Sequence, residues 1–478
     1  MRFLLLQSFA TAIAALAVKQ PSKMTPGAVS ADLSRVISAA SKAGVELRAR
    51  WSLVGAPSPA VVVNVTTETD VASVVKYCTE KRVPFVAQNG GNGWATTFNL
   101  GETGVLINMA GLNAITFNQD KTQATIGGGA VIGDVIPAAN AAGALVITGN
   151  CNCVGAVSAM LGGGYGNIMG EVGFGVDNII SMRVVLASGE IVTVSPTSNP
   201  DLFWAMRGAG PNFGIVISVT IKSQPATEQD RTAYINNLFF SPDQIETVAQ
   251  TMQDLPLTPE QRVYLVLTSS GPPLNEPSIL ITGFLRKGTE EEGRKAFAPF
   301  YELGPVSASS AVTQYLDWND SNDGFCARGD RKPAYSTTIN NMQAQKWPEI
   351  WELYKGFQAK GPNSAVLIER YNLTKANAAP TGSAAMNEKL RTEAFAQAIV
   401  IPWYTDAALD GEAETFASEV RALWSYNADA KKNPAYINFA HGDETLEAIY
   451  GSSLPRLKTL KKQYDPTGAF NQWFTIEP

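Results

Sequence analysis

The chain contains one histidine, His441, and four cysteines, Cys78, Cys151, Cys153 and Cys326. A lone histidine excludes the multi-histidine centres that usually hold zinc or iron, and any histidine-dependent nucleophile triad must rest on His441 alone. Four irregularly spaced cysteines are too few for a disulfide framework in 478 residues. The pair in Cys151-Asn-Cys153 has no second pair beside it, so no metal is expected. Basic runs are missing too: 37 Lys and Arg against 43 Asp and Glu give a net charge of -6, which argues against nucleic acid as a partner. Past the N-terminus no apolar run is long enough to cross a bilayer. These absences leave small-molecule chemistry carried by a cofactor.

Arg2 is followed by an apolar stretch from Phe3 to Val18 that ends in Ala15-Leu-Ala17. This is the layout of a secretory signal over residues 1–18, pointing to secretion or a secretory vesicle; the competing reading is an N-terminal core helix. Glycosylation sequons at Asn64, Asn319 and Asn372 agree with secretion. Length and ordinary globular composition predict more than one domain.

Up to about residue 225, Gly and Pro punctuate many short segments. Val61 to Val65 reads as a strand, Thr66 to Lys81 as an amphipathic helix, and Val83 to Ala87 as a strand running into Gln88-Asn-Gly-Gly-Asn-Gly93. Further strands are expected at 104–109, 114–117, 123–126 and 145–148, with a helix at 134–142. Two more glycine-rich stretches follow, Gly149-Asn-Cys-Asn-Cys-Val-Gly155 and Leu161-Gly-Gly-Gly-Tyr-Gly166. Strands at 179–186 and 191–194 flank a natural turn. Beyond Pro225 the segments lengthen: strands at 234–240, 262–268, 279–285, 365–371 and 395–404 alternate with helices at 242–255, 289–301 and 411–425. That pattern predicts an antiparallel sheet covered by helices on one face, and an α+β fold overall.

Glycine loops at strand ends can present backbone N–H groups to a phosphate. None matches the lysine-bearing nucleotide loop or the strand-helix dinucleotide fingerprint, and tight turns alone explain them equally well. Taken in order, however, the segments resemble the flavin-binding half of the vanillyl-alcohol-oxidase superfamily, in particular fungal berberine-bridge-enzyme-like FAD oxidases. The residues that carry the likeness are Val83-Pro-Phe-Val-Ala-Gln-Asn-Gly-Gly-Asn-Gly93, the two stretches at 149–155 and 161–166, Gly175-Val-Asp-Asn178, Asp201-Leu-Phe-Trp-Ala-Met-Arg-Gly-Ala-Gly210, Asn212-Phe-Gly-Ile-Val216, Tyr436-Ile-Asn-Phe439 and Tyr464-Asp-Pro-Thr-Gly-Ala-Phe-Asn471.

The resemblance implies a PCMH-type FAD-binding domain of two α/β subdomains at 55–226, a substrate domain at 227–430 and a C-terminal return at 431–478. It implies FAD as cofactor, a small-molecule substrate and dioxygen as a partner. Gln88, Asn89, Gly90, Gly91, Asn92 and Gly93 would cradle the diphosphate. Gly149, Cys151, Val154, Gly155, Gly164, Ile215, Val216 and Asn438 would line the flavin, with Val154 where relatives control dioxygen's approach. Many relatives carry a histidine bonded to the flavin at the position of Asn92; an amide is no such nucleophile, so no histidyl link forms here. Cys151 stands where relatives bond the flavin's C6, and either makes that link or is a small buried hydrophobe.

Hydride transfer from an alcohol, sugar or secondary metabolite also requires a base. Tyr436 is the first candidate, its alternative being a tyrosine packed under the flavin. The family's carboxylate falls near Gln397, where no acid stands; Glu369 reads as an anchor, His441 as a solvated turn residue, and Tyr404, Tyr165 and Trp94 as lesser candidates. The missing histidine and unclear base also motivate a redox-neutral isomerase or cyclase on the same fold.

Overall fold

The computed structural model describes residues 25–44, 49–271 and 273–478. The apolar N-terminal stretch read as a signal lies outside the described residues.

The first sheet holds β1 (Lys42–Gly44), β2 (Val61–Asn64), β3 (Phe85–Gln88) and β4 (Val105–Asn108) in the order β1-β2-β4-β3, with β2 and β3 parallel to β4. A helix over Glu68–Lys81 covers it. Thr67 caps that helix by accepting the Asp70 N–H, and Val71, Val74, Val75 and Cys78 form its buried stripe. The register pairs Gln88 with Asn108, so the glycine loop leaves the carboxyl end of β3, where open α/β sheets bind ligands.

The second sheet contains β5 (Ile115–Phe117), β6 (Gln123–Gly127), β8 (Ile179–Val185), β9 (Ile191–Val194) and β10 (Ile215–Lys222) in the antiparallel order β5-β6-β10-β8-β9. The strand expected at 145–148 shrinks to β7 (Ala144–Leu145), paired with β11 (Gln224–Pro225). Val146 and Ile147 fill the core instead of joining a ladder.

The third sheet is antiparallel throughout. It comprises β12 (Thr232–Phe240), β13 (Gln261–Ser269), β14 (Pro277–Arg286), β15 (Ser307–Gln314), β16 (Tyr335–Ile339), β17 (Ala365–Tyr371) and β18 (Ala396–Ile401). Their order is β15-β12-β14-β13-β17-β18-β16. β15 and β16 escape sequence reading because one is a polar, exposed edge and the other a wholly buried run of five residues. The helix expected at 289–301 breaks into Glu290–Ala296 and Ala298–Glu302, since Pro299 has no N–H to continue the ladder.

Side chains on β13 and β17 alternate between two buried faces. Val263, Leu265, Leu267, Val366 and Ile368 pack under the helices Ile245–Asp254, Trp347–Gln358 and Asp410–Trp424. Tyr264, Val266 and Tyr371 point the other way, into the core shared with the second sheet. This period of two puts a polar cluster on the inner face.

The C-terminal return is locked by Lys461 and Asp465, both with zero exposed side-chain area and 2.7 Å apart. Lys461 also donates to the carbonyls of Asn212 and Phe470, at 2.8 and 2.7 Å. The Tyr464-to-Asn471 motif thus serves first to fasten the tail.

Candidate active site

The glycine loop is held from one side. Arg50 donates to the Gln88 side chain at 2.6 Å and to the Gly93 carbonyl at 2.8 Å. Arg328 donates to the Gly90 carbonyl at 2.7 Å, and the Trp51 N–H to that of Gly91 at 3.0 Å. The backbone N–H groups of residues 89–93 donate to no acceptor among the described residues. The loop therefore has its carbonyls engaged and its donors available, the arrangement an anion requires. The Asn89 amide donates to the carbonyls of Gly128 and Ala130, tying the loop to the second subdomain.

At Gly90 a Cβ would stand 2.6 Å from the Cys153 carbonyl oxygen and 2.7 Å from the Gly155 nitrogen, so only glycine lets the two loops meet. Asn92 joins them as well: its amide nitrogen faces the carbonyls of Cys153 at 2.9 Å and Gly90 at 3.1 Å. Next to this junction lies a cavity of ≈ 130 Å³ between the two subdomains, with Asn89, Ile215 and Val216 in its wall and Ser158, Phe470 and Trp473 opposite.

The second polar cluster lies where the third sheet meets the loop at 149–155. The Asn150 amide donates to the Tyr371 hydroxyl at 2.7 Å and also to that of Tyr264; the two hydroxyls touch each other. Tyr371 donates to the Glu369 carboxylate at 2.9 Å. Since Tyr371 spends its proton on Glu369, Tyr264 is the donor in the tyrosine pair, and the chain runs from Tyr264 through Tyr371 to Glu369. Burial pushes the Glu369 carboxyl up to about 7, against bonding from Tyr371 and the charge of Arg262, which favour ionisation.

Tyr165 packs on Tyr371 and Tyr436, with ring centroids 5.4 and 4.8 Å away, and accepts from Gln397 at 3.0 Å. The Tyr436 hydroxyl accepts from the Gly164 N–H at 3.0 Å and the Asn438 amide at 2.7 Å. Gly164 has φ +82°, which aims that N–H and suits glycine. Burial pushes Tyr436 up to about 12, so it is a neutral phenol near neutral pH.

The cysteines form no framework, but Cys153 and Cys326 do form one disulfide across 173 residues, which ties the loop at 149–155 to the segment Asp320–Cys326. Asn319, Asn322 and Asn152 add hydrogen bonds across the same junction. Cys151 is a free, half-buried thiol whose sulfur lies within 4.8 Å of both bridged sulfurs. Burial pushes it up to about 12, helped by the charges of Glu369 and Asp323. Val154 caps the turn by donating to the Cys151 carbonyl at 3.2 Å, and the Gly149 carbonyl accepts from Asn319.

Other expectations change. His441 is buried rather than solvated: its ring stacks on Tyr335 at 3.6 Å and Nδ1 lies 3.0 Å from the Ala334 carbonyl. Tyr404 gives its hydroxyl to Asp410 at 2.8 Å, and Trp94 bonds the Phe439 carbonyl. Asn319 has no exposed surface, so a glycan there cannot be accommodated; Asn64 is exposed. Tyr264, Tyr371 and Asn150 were missed. Their signal was the spacing Arg262-x-Tyr264 and Glu369-x-Tyr371 on neighbouring strands, one face each.

Comparison with known proteins places this geometry. Residues 59–195 match the family described as FAD binding domain, and residues 435–473 the family described as berberine and berberine like. The FAD-linked oxidoreductase OXR1 of Pyricularia oryzae is 33% identical over 433 residues, spanning 88% of this chain and 84% of that protein. The chain belongs to the berberine-bridge-like FAD-linked oxidoreductases. As a member of this family it is an FAD-dependent oxidoreductase enzyme. Two solved structures share the fold at lower identity. Xylooligosaccharide oxidase from Myceliophthora thermophila C1, in complex with xylobiose, has a TM-score of 0.79 and 19% identity over 95% of this chain and 99% of that one. Glucooligosaccharide oxidase from Acremonium strictum, described with a 6-S-cysteinyl, 8α-N1-histidyl FAD, has a TM-score of 0.80 and 18% identity over 94% and 99%.

The residues of this FAD-linked oxidoreductase fit its cofactor. The available N–H groups at 89–93 suit a diphosphate, and a Cβ at Gly90 would fill the cradle. The cavity wall, apolar apart from groups such as Asn89 and Ser158, suits a part of the cofactor beyond the diphosphate.

Proposed function

We propose that this chain is a secreted FAD-dependent oxidase that removes hydride from a hydroxyl-bearing small molecule, an alcohol, sugar or phenolic metabolite, and passes the electrons to dioxygen with release of hydrogen peroxide. Residues 55–226 and 431–478 are taken as the cofactor unit and 227–430 as the substrate unit. The observation that carries the reading is the buried chain Tyr264, Tyr371, Glu369 beside Tyr165 and Tyr436. It supplies a proton acceptor where sequence matching found only Gln397.

Bound FAD would supply the hydride acceptor. The substrate's hydroxyl proton goes to the tyrosine pair as the Tyr371 proton passes to Glu369, so one bond to hydrogen is broken for each formed. Tyr436, whose hydroxyl oxygen already accepts from Gly164 and Asn438, donates its remaining hydrogen bond and orients. Tyr165, fixed by Gln397, forms an aromatic wall. The structural neighbours acting on oligosaccharides favour a sugar among the candidate substrates.

Asn92 leaves the cofactor without a histidyl link, and Cys151 is the one position for a cysteinyl link. Val154, of modest size beside it, leaves dioxygen an approach. A disulfide at Cys153–Cys326 supports an oxidising compartment, as does the apolar N-terminal stretch.

Acid precipitation tests the link. Yellow colour should stay with the wild-type pellet and leave that of Cys151→Ala; release from both sinks the cysteinyl link. Peroxide formation across alcohol, sugar and phenol panels tests the oxidase. Conversion of a substrate while the flavin stays oxidised would instead favour the isomerase or cyclase reading.

A further inference from the structure

We infer that Arg262 is the positioning charge of the proton chain: its guanidinium, buried over Tyr264, holds Glu369 in the form that accepts a proton. The inference rests on the reading of Glu369 as proton acceptor.

Arg262 is 2% exposed, yet its hydrogen-bond partner among the described residues is the amide of Asn167 rather than a carboxylate. Its Nε donates to Asn167 at 2.6 Å, while Nη1 has no partner. Its guanidinium carbon sits 4.2 Å from the Tyr264 ring centroid and 4.9 Å from that of Phe284. A buried guanidinium without a bonded acid is costly, and two aromatic faces offset only part of the desolvation. A compensating negative charge must lie near.

The sheet register supplies it. Arg262 lies opposite Tyr371, and Tyr264 opposite Glu369, so Arg262 and Glu369 occupy diagonal positions on one face of the sheet. For two charges about as far apart as such a diagonal pair of positions, about 7–8 Å, and an effective dielectric of about 20, one positive charge favours an ionised carboxylate by about 1.5 pH units.

Among the described residues, the remaining groups around Glu369 supply no competing positive charge. Gln397 lies opposite it on β18, and Tyr371 and Tyr264 bracket it. Tyr165, Tyr436 and Cys151 reach it electrostatically from the cofactor unit, all as neutral groups near neutral pH. Among the described residues, Arg262 is the cation that favours the ionised form of Glu369.

The test needs no substrate. In the FAD-loaded protein, the pH dependence of unfolding stability is compared between wild type and Glu369→Gln; their difference follows the proton on Glu369. The same comparison is then made in Arg262→Met and Arg262→Lys backgrounds. The midpoint should move up by about 1.5 pH units with methionine and stay within a few tenths with lysine. An unmoved midpoint with methionine, or equal shifts with both, overturns the inference and leaves Arg262 as an aromatic brace. If Arg262→Met does not accumulate folded, Arg262→Gln, which retains a donor toward Asn167, is read by the same criterion. Failure of the underlying reading is separate: Glu369→Gln would then keep full turnover whatever Arg262 does to the midpoint.

Discussion

Replacing Glu369 by glutamine should stabilise the protein at alkaline pH while disabling it. The carboxyl is pushed from 4.5 up to about 7 by burial, so the folded state holds its proton more tightly than the unfolded chain does. A group of this kind contributes stability that is fully present below its unfolded value and is lost as pH rises through its folded value. The difference of 2.5 units, at about 1.4 kcal/mol each, makes a loss of about 3 kcal/mol across that window. Glutamine has the same shape and an oxygen for the Tyr371 hydroxyl, but it does not ionise. Glu369→Gln should therefore gain up to about 3 kcal/mol over wild type between about pH 4.5 and about pH 8.5, read by denaturant titration at the two ends. Turnover should fall by about 10²- to 10⁴-fold above about pH 7, the usual contribution of a positioned base, and by less as pH falls and protonation of Glu369 silences the wild type as well. A stability difference that does not change with pH would refute the buried-carboxyl argument. Unchanged turnover would remove Glu369 from the chemistry.

Breaking the bridge with Cys153→Ser and Cys326→Ser together opens a loop of 173 residues, for which chain entropy alone predicts a loss on the order of 5 kcal/mol. Thermal unfolding of the double variant should begin earlier, and its flavin should release faster; equal release would show that the bridge does not hold the cofactor loop. Gly90→Ala places a methyl 2.6 Å from the Cys153 carbonyl and should cost about 1–3 kcal/mol through overpacking, with a reduced flavin-to-protein ratio on purification. Full flavin content in that variant would argue against the cradle. Asp465→Asn leaves Lys461 buried without its counter-charge and should cost about 3–5 kcal/mol, seen as a lower unfolding midpoint.

The cofactor half was legible because its signals are local. A glycine loop after a strand is contiguous, and so is the tail motif around Asp465, so their order along the chain carried the family likeness. The chemistry was harder to read, because it depends on register between strands about a hundred residues apart. Glu369 looked like an anchor until β17 was aligned with β13, which set Tyr264 opposite it. The bridge was hidden for the same reason, its halves lying 173 residues apart. His441 misled in the opposite direction. Its neighbours Gly442, Asp443 and Glu444 suggest a wet turn, yet Glu444 folds back to accept from the His441 and Gly442 N–H groups and the ring is stacked inside.

The central claim, that this chain uses bound FAD to oxidise a small molecule, is tested most directly by mixing the flavin-loaded protein with candidate sugars, alcohols and phenols without oxygen, and then admitting air. The account predicts that one class bleaches the visible flavin band, that air restores it, and that hydrogen peroxide appears in equal amount to the substrate consumed. Glu369→Gln should bleach far more slowly with the same substrate. A purified protein that carries no flavin, or one that converts substrate while the band never changes, would contradict it.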